Sequence, residues 1–217
     1  MNGYNIDVVM CIDATESMKP FMSEFKANVL SFYRKFVEEM EAMECSVDQL
    51  RIKVIAFRDY DCDSEPMVES RFFVLDDEVE ELYSFVDKIE AKGGRAGGQN
   101  ALEALALAMK SDWVTDTRRR HVIMLWTDGD ALELGVRRNR SLYPSDMPAD
   151  MAELYEWWEG GEMDRKARRL FLFAPDVWPW SDMIDWDCTF HQVCQAGKGC
   201  SDVDIDYAIF LIAPNGL

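Results

Sequence analysis

The stretch Asp7-Val8-Val9-Met10-Cys11-Ile12-Asp13 is an apolar run with β-branched residues, held between two aspartates. Its length and composition predict a strand buried on both faces, as in a parallel sheet covered by helices. Just beyond Asp13 the period changes. Met18, Phe21, Met22, Phe25, Val29, Phe32, Phe36, Met40 and Met43 fall on steps of three and four, one apolar face of a long helix. Pro20 is tolerated there because it lies in the first turn.

Working outward, the alternation repeats. A second strand is expected from Leu50 to Phe57 and a shorter one from Arg71 to Leu75. Asp76 can cap a helix whose face is Val79, Leu82, Phe85, Val86 and Ile89. A glycine-rich loop, Gly93 to Gly98, leads into a helix near Asn100 that carries Leu102, Leu105, Ala106 and Met109. His121 to Trp126 is another doubly buried strand, ending at Thr127-Asp128-Gly129. A long polar connection, 131–168, has helical patches, and Leu170 to Ala174 is the next strand. The loop Pro175 to Trp180 enters a short helix, Thr189 to Val193 reads as a weak last strand, and Val203 to Ile212 as a closing helix. Strands alternating with helices predict an α/β three-layer sandwich with a mainly parallel, doubly wound central sheet. No linker or repeat divides the chain, so residues 1–217 are expected to form one domain.

Composition narrows the function. Across 217 residues, 23 Lys and Arg face 41 Asp and Glu, a formal charge of −18. Nucleic-acid binding needs clustered cations, and anionic membranes repel such a chain, so neither partner is expected. No apolar run approaches the roughly 18 residues of a membrane span. The N-terminus lacks a basic flank and a cleavage site, so a cytoplasmic location is expected, with the six cysteines reduced. Cys188, Cys194 and Cys200 recur at a spacing of six, but lack the close ligand pair of a zinc site.

In an open α/β sheet, ligands bind outside the carboxyl ends of the strands, where strand order reverses. Three polar clusters fall at such positions: Asp13-Ala14-Thr15-Glu16-Ser17, Gly97-Gly98-Gln99-Asn100, and Thr127-Asp128-Gly129-Asp130. Carboxylate and hydroxyl oxygens from separate loops are hard ligands, suited to a magnesium-like ion.

Asp13-Ala14-Thr15-Glu16-Ser17-Met18, between a strand and a long amphipathic helix, resembles the Asp-x-Ser-x-Ser motif of von Willebrand factor A domains. Leu125-Trp126-Thr127-Asp128-Gly129 is similar to the strand that ends in Thr-Asp-Gly in that family. The resemblance implies a metal-ion-dependent adhesion site for Mg2+, or Mn2+ or Ca2+, with oxygens from Asp13, Thr15, Ser17 and Asp128. It implies a further ligand, usually Thr and sometimes Glu, where this chain has Gln99 and Asn100. Neither matches, and a neutral amide carbonyl coordinates less strongly than a carboxylate. The expected function is metal-dependent binding of an acidic side chain on another protein, not catalysis. Trp178, Trp180 and Asp130 are expected to meet that partner. The chain also resembles stand-alone bacterial A domains of tellurite-resistance and stress-response clusters, which implies a signalling kinase or phosphatase as partner.

Other readings rank below this one. A phosphohydrolase with Asp13 as nucleophile would need a general acid two residues on, where Thr15 stands. A metal-free scaffold keeps the fold alone. Asp59, Asp61 and Asp63 imitate a calcium loop without its glycine and final glutamate, so an exposed acidic turn is expected. Arg118-Arg119-Arg120 reads as a solvated run, while Arg137-Arg138-x-Arg140 could meet an acidic or phosphorylated partner.

Overall fold

A computed structural model describes residues 3–95, 97–115, 119–161, 163, 165–197, 200 and 205–212. Strand β1 (Tyr4–Asp13) leads through a turn of 3-10 helix at Glu16–Met18 into α1 (Lys19–Ala42) and then β2 (Val47–Phe57). Two short strands, β3 (Met67–Glu69) and β4 (Phe73–Val74), precede α2 (Val79–Asp87) and α3 (Ala101–Met109). There follow β5 (Arg119–Trp126), α4 (Met151–Gly160), β6 (Arg168–Ala174), α5 (Trp180–Met183), β7 (Thr189–Val193) and α6 (Ile205–Ile212).

The seven strands form one sheet in the order β3-β2-β1-β5-β6-β7, with β4 also on the β2 edge. β1, β2, β5, β6 and β7 run parallel, while β3 and β4 are antiparallel to β2. The parallel, helix-covered sheet is the expected architecture. Side chains alternate between two cores. Val8, Met10, Ile12, Met124 and Phe173 pack under α1, α2 and α6; Val9, Cys11, Ile123, Leu125 and Leu172 pack under α3, α4 and α5. The chain leaves β1 for β2 on one side and returns to β5 on the other. That reversal opens a crevice at the carboxyl ends of β1 and β5.

Aromatic contacts fix α1 above this crevice. Phe25 meets Trp126 edge-on at 5.4 Å, and Trp126 stacks on Phe173 at 5.0 Å. Each fully buried ring of this kind stabilises the fold by about 1.5–3 kcal/mol. Two local expectations change. The N-cap of α2 is Glu78, without a side-chain cap, because Asp76 instead accepts the Tyr33 hydroxyl at 2.7 Å. Of the stretch 71–75 only Phe73–Val74 pairs, and Met67–Glu69 adds a strand too short to leave an alternating pattern.

The opposite edge of the sheet is closed by charge. Asp7 is fully buried at the start of β1. Its Oδ1 accepts from Arg51 Nε at 2.8 Å and Arg119 Nη1 at 2.6 Å; its Oδ2 accepts from Arg51 Nη2 at 2.5 Å and the Val114 N–H at 3.2 Å. Removing one member of a buried ion network strands the others. Asp7→Ala is therefore expected to destabilise the fold by about 3–5 kcal/mol in urea denaturation. The pair Asp7→Ala with Arg119→Met should lose less than the two single changes together.

Candidate functional site

Asp13, the last residue of β1, is buried at the crevice floor. Its Oδ1 accepts the Thr15 N–H at 2.9 Å, which turns the chain sharply out of the strand. Its Oδ2 accepts the Thr127 hydroxyl at 2.7 Å, from just past the end of β5. Ser17 Oγ lies 3.2 Å from Thr15 Oγ1 and donates to Asp128 Oδ1 at 2.8 Å. Two loops more than a hundred residues apart thus share one chain of oxygens. Burial pushes the Asp13 carboxyl up to about 6; hydrogen bonds from Thr15 and Thr127 oppose the rise, and the Asp128 charge adds to it.

The surrounding loops hold this arrangement through backbone groups. Arg58, at the end of β2, is buried and donates to three carbonyls: Ala14 at 3.0 Å, Glu65 at 2.8 Å and Glu90 at 2.7 Å. Sequence reasoning passed over it; its one signal was a lone arginine at a strand end facing the crevice. The carbonyls of Thr127, Asp128 and Gly129 accept respectively from the Cys200 thiol, the Gly197 N–H and the Trp180 indole. Gly94 has φ +79°, and a Cβ there would sit 2.6 Å from the Thr15 side chain, so the glycine loop closes directly on the first motif.

The expected residues divide. Gln99 is stitched by its backbone to Asp130 and Leu132, and its Nε2 donates to the Arg95 carbonyl at 3.0 Å. Its Oε1 is buried without a hydrogen-bond partner among the described residues, and Gln99 lines the cleft. Asn100 is fully buried, and its Oδ1 is taken by the Tyr60 N–H at 3.0 Å. Asp130 is exposed at the rim. Trp180 corrects its expected role: it is completely buried and anchors the Asp128 loop through its 3.1 Å bond to Gly129, so it presents no surface to a partner. Trp178 is 41% exposed.

The acidic turn is likewise not an open one. Asp59 is buried and grips Arg137 at 2.8 and 2.9 Å, while Asp61 pairs with Arg95 and Arg140. Arg137 and Arg140 are therefore committed to the 59–61 turn.

The cleft measures about 400 Å³ and is lined by Asp13, Thr15, Ser17, Gln99, Asp128 and Asp130, with the glycine loop and Gly197 around them. Two carboxylates, two hydroxyls and an unpaired amide oxygen are hard donors that could hold a divalent cation. Among the described residues, no three His, Cys, Asp or Glu side chains cluster as a metal site, so any such ion would depend on hydroxyl and amide oxygens. The unpaired Gln99 oxygen fits a cation ligand.

A family model for the von Willebrand factor type A domain matches residues 7–142, from the first strand past Asp128. The chain belongs to the von Willebrand factor type A domain family. This A domain aligns over 97% of its length with 46% of proximal thread matrix protein 1 from the mussel byssus, at 13% identity and a TM-score of 0.53, a likeness of fold. It also aligns with the pilus adhesin SpaC of Lactobacillus rhamnosus GG (12% identity, 69% of this chain and 18% of that one, TM-score 0.45). A further match is the type V pili tip protein Mfa5 of Porphyromonas gingivalis (20% identity, 61% and 40%, TM-score 0.40). The A domain spans less than half the length of each matched chain. No curated protein sequence matches it. Among the described residues, no helix is long and apolar enough to cross a membrane.

The sign of the Asp13 effect is testable in metal-free protein. A carboxyl raised from 3.8 to about 6 contributes stability that is complete below the unfolded value and lost as pH rises through the folded one. In EDTA the wild type should lose stability relative to Asp13→Asn between pH 5 and pH 7.5, by on the order of 2–3 kcal/mol. The loss should build steadily with pH in paired urea titrations, on top of a pH-independent cost to the variant, whose amide nitrogen cannot accept one of the two hydrogen bonds.

Proposed function

We propose that this A domain is a divalent-cation-dependent protein-binding module, with Mg2+ as the natural ion and Mn2+ or Ca2+ as substitutes. The observation that carries the reading is the Ser17–Asp128 hydrogen bond at 2.8 Å, which joins the two motif loops into one oxygen cluster beside the unpaired Gln99 Oε1. Asp13, Thr15, Ser17 and Asp128 would hold the ion, directly or through water, with Gln99 as the donor from the second loop. Asn100, its oxygen already used by Tyr60, positions that loop.

A bound ion supplies a Lewis-acidic positive charge that attracts the carboxylate of a partner's Asp or Glu. The chain's residues do the rest. Asp13 keeps its two hydrogen bonds and balances the charge; Ser17 and Thr15 turn their lone pairs inward; Asp130 at the rim and the exposed Trp178 are the residues proposed to meet a partner. Binding is favoured over catalysis because Thr15, two residues after Asp13, cannot serve as a general acid. The two histidines are also occupied elsewhere: His121 Nε2 lies against the Val114 carbonyl and His191 Nε2 against that of Ala174. The partner class is a protein, with a kinase or phosphatase of the same signalling cluster as the specific suggestion. Six free thiols support a reducing, cytoplasmic setting.

Millimolar Mg2+ should raise the melting temperature of the wild type, since a ligand selective for the native state stabilises it. Asp128→Ala and Ser17→Ala should remove the shift, and Gln99→Glu should tighten Mg2+ by about tenfold through its added charge. Below about pH 6 the affinity should fall as protons compete at Asp13. An unchanged melting curve with all three ions would count against the proposal.

A further inference from the structure

The amino-terminal edge of the sheet carries a second polar cluster that the adhesion reading leaves unused. Arg119 and Arg120 begin β5, and Arg168 and Arg169 begin β6. Alternation sorts them. Val122, Met124, Phe171 and Phe173 face α1 and α6, so Arg120 and Arg169 share that face. The register sets Val122 beside Arg169, which leaves Arg120 on the adjoining diagonal.

Their proximity is direct. One oxygen, the carbonyl of Lys166, accepts from both guanidinium groups, Arg120 Nη1 at 3.4 Å and Arg169 Nη1 at 3.3 Å. Among the described residues, the pair's one other side-chain hydrogen bond runs from Arg169 Nη1 to the Arg168 carbonyl at 2.7 Å. Both Nε atoms are buried and lack a partner among the described residues. Arg169 is only 6% exposed, while Arg120 is half-buried and reaches solvent.

The neighbouring arginines are treated differently. Arg51 and Arg119 share Asp7, Arg168 is paired with Glu159, and Arg165 with Glu159 and Asp187. Arg120 and Arg169 have no carboxylate among the described residues, in a chain with 41 of them. Arg58 shows what a buried arginine with a purely structural task looks like here: Nε, Nη1 and Nη2 each reach a separate carbonyl. Two like charges placed together and only partly bonded are costly unless an anion joins them. Burial and the Arg120 charge both press the Arg169 guanidinium below its usual range.

We infer that Arg120 and Arg169 form a binding site for a phosphoryl dianion, remote from the Asp13 cleft and independent of it. Two planar guanidinium groups offer paired N–H donors and two charges, which match a phosphate monoester or free phosphate better than a single carboxylate.

The test is calorimetric titration of the full chain with inorganic phosphate in EDTA, at ionic strength held constant with chloride. A second arm uses a phosphoserine peptide and its unmodified twin, and a third uses acetate. Saturable phosphate binding is expected, at least tenfold weaker in Arg120→Gln and lost in Arg169→Met. Arg120 is half-buried, so its variant tests the proposal even if the Arg169 variant fails to fold. Tighter binding of the phosphopeptide than of phosphate assigns a protein-borne group, and the reverse order assigns the free ion. Heat equal to that of chloride alone, acetate binding as tight as phosphate, or unaltered affinity in Arg120→Gln would each overturn the assignment.

Discussion

A carboxylate buried at the end of a parallel strand is costly to ionise, and the upper rim of this molecule is organised around that constraint. Asp13 sits where the sheet order reverses, with one oxygen on the Thr15 N–H and the other on the Thr127 hydroxyl. Those bonds fix the directions of two loops. The Arg58 clamp then ties the first loop to the segments at Glu65 and Glu90, and the donors on the Thr127–Gly129 carbonyls fix the second. Oxygens of Ser17, Thr15, Asp128 and Gln99 border a single cleft.

The charge of the chain is not spread evenly. Carboxylates gather at the carboxyl edge of the sheet, in the cleft and in the turn at 59–63. Arginines begin β5 and β6 at the opposite edge. Where opposite charges meet inside the protein they do so as matched sets, Asp7 with Arg51 and Arg119, and Asp59 with Arg137. Such pairs resist salt far better than exposed ones, because burial removes the screening water. They lock the connection after β5 and the base of the sheet, while Gln99 Oε1 in the cleft and the Arg120 and Arg169 Nε atoms are among the buried groups that keep bonding capacity among the described residues.

Long, strongly periodic elements could be read in the sequence because their burial is the pattern. The apolar run before Asp13, the stripe from Met18 to Met43 and the strand from His121 all formed as expected. The first and third site loops were readable for the same reason, being polar residues placed directly after such strands. What escaped reading depends on pairing across space. Trp180 looks like an exposed aromatic until its indole is seen to bond Gly129. The 59–63 turn looks solvated until Arg137 arrives from seventy-eight residues away. The Arg58 side chain bonds to backbone carbonyls, and no periodicity reveals those. Gln99 and Asn100 are adjacent and chemically alike, yet only the loop's path gives one to the cleft and the other to Tyr60.

The most direct measurement is anomalous scattering from crystals grown in Mn2+. A single peak within bonding distance of Ser17 and bordered by Asp13, Asp128 and Gln99 is expected, and it should vanish in Asp128→Ala crystals. Featureless density between Asp13 and Asp128 at saturating Mn2+, with the Ser17–Asp128 hydrogen bond intact, would contradict an ion-holding site and leave the architecture alone standing.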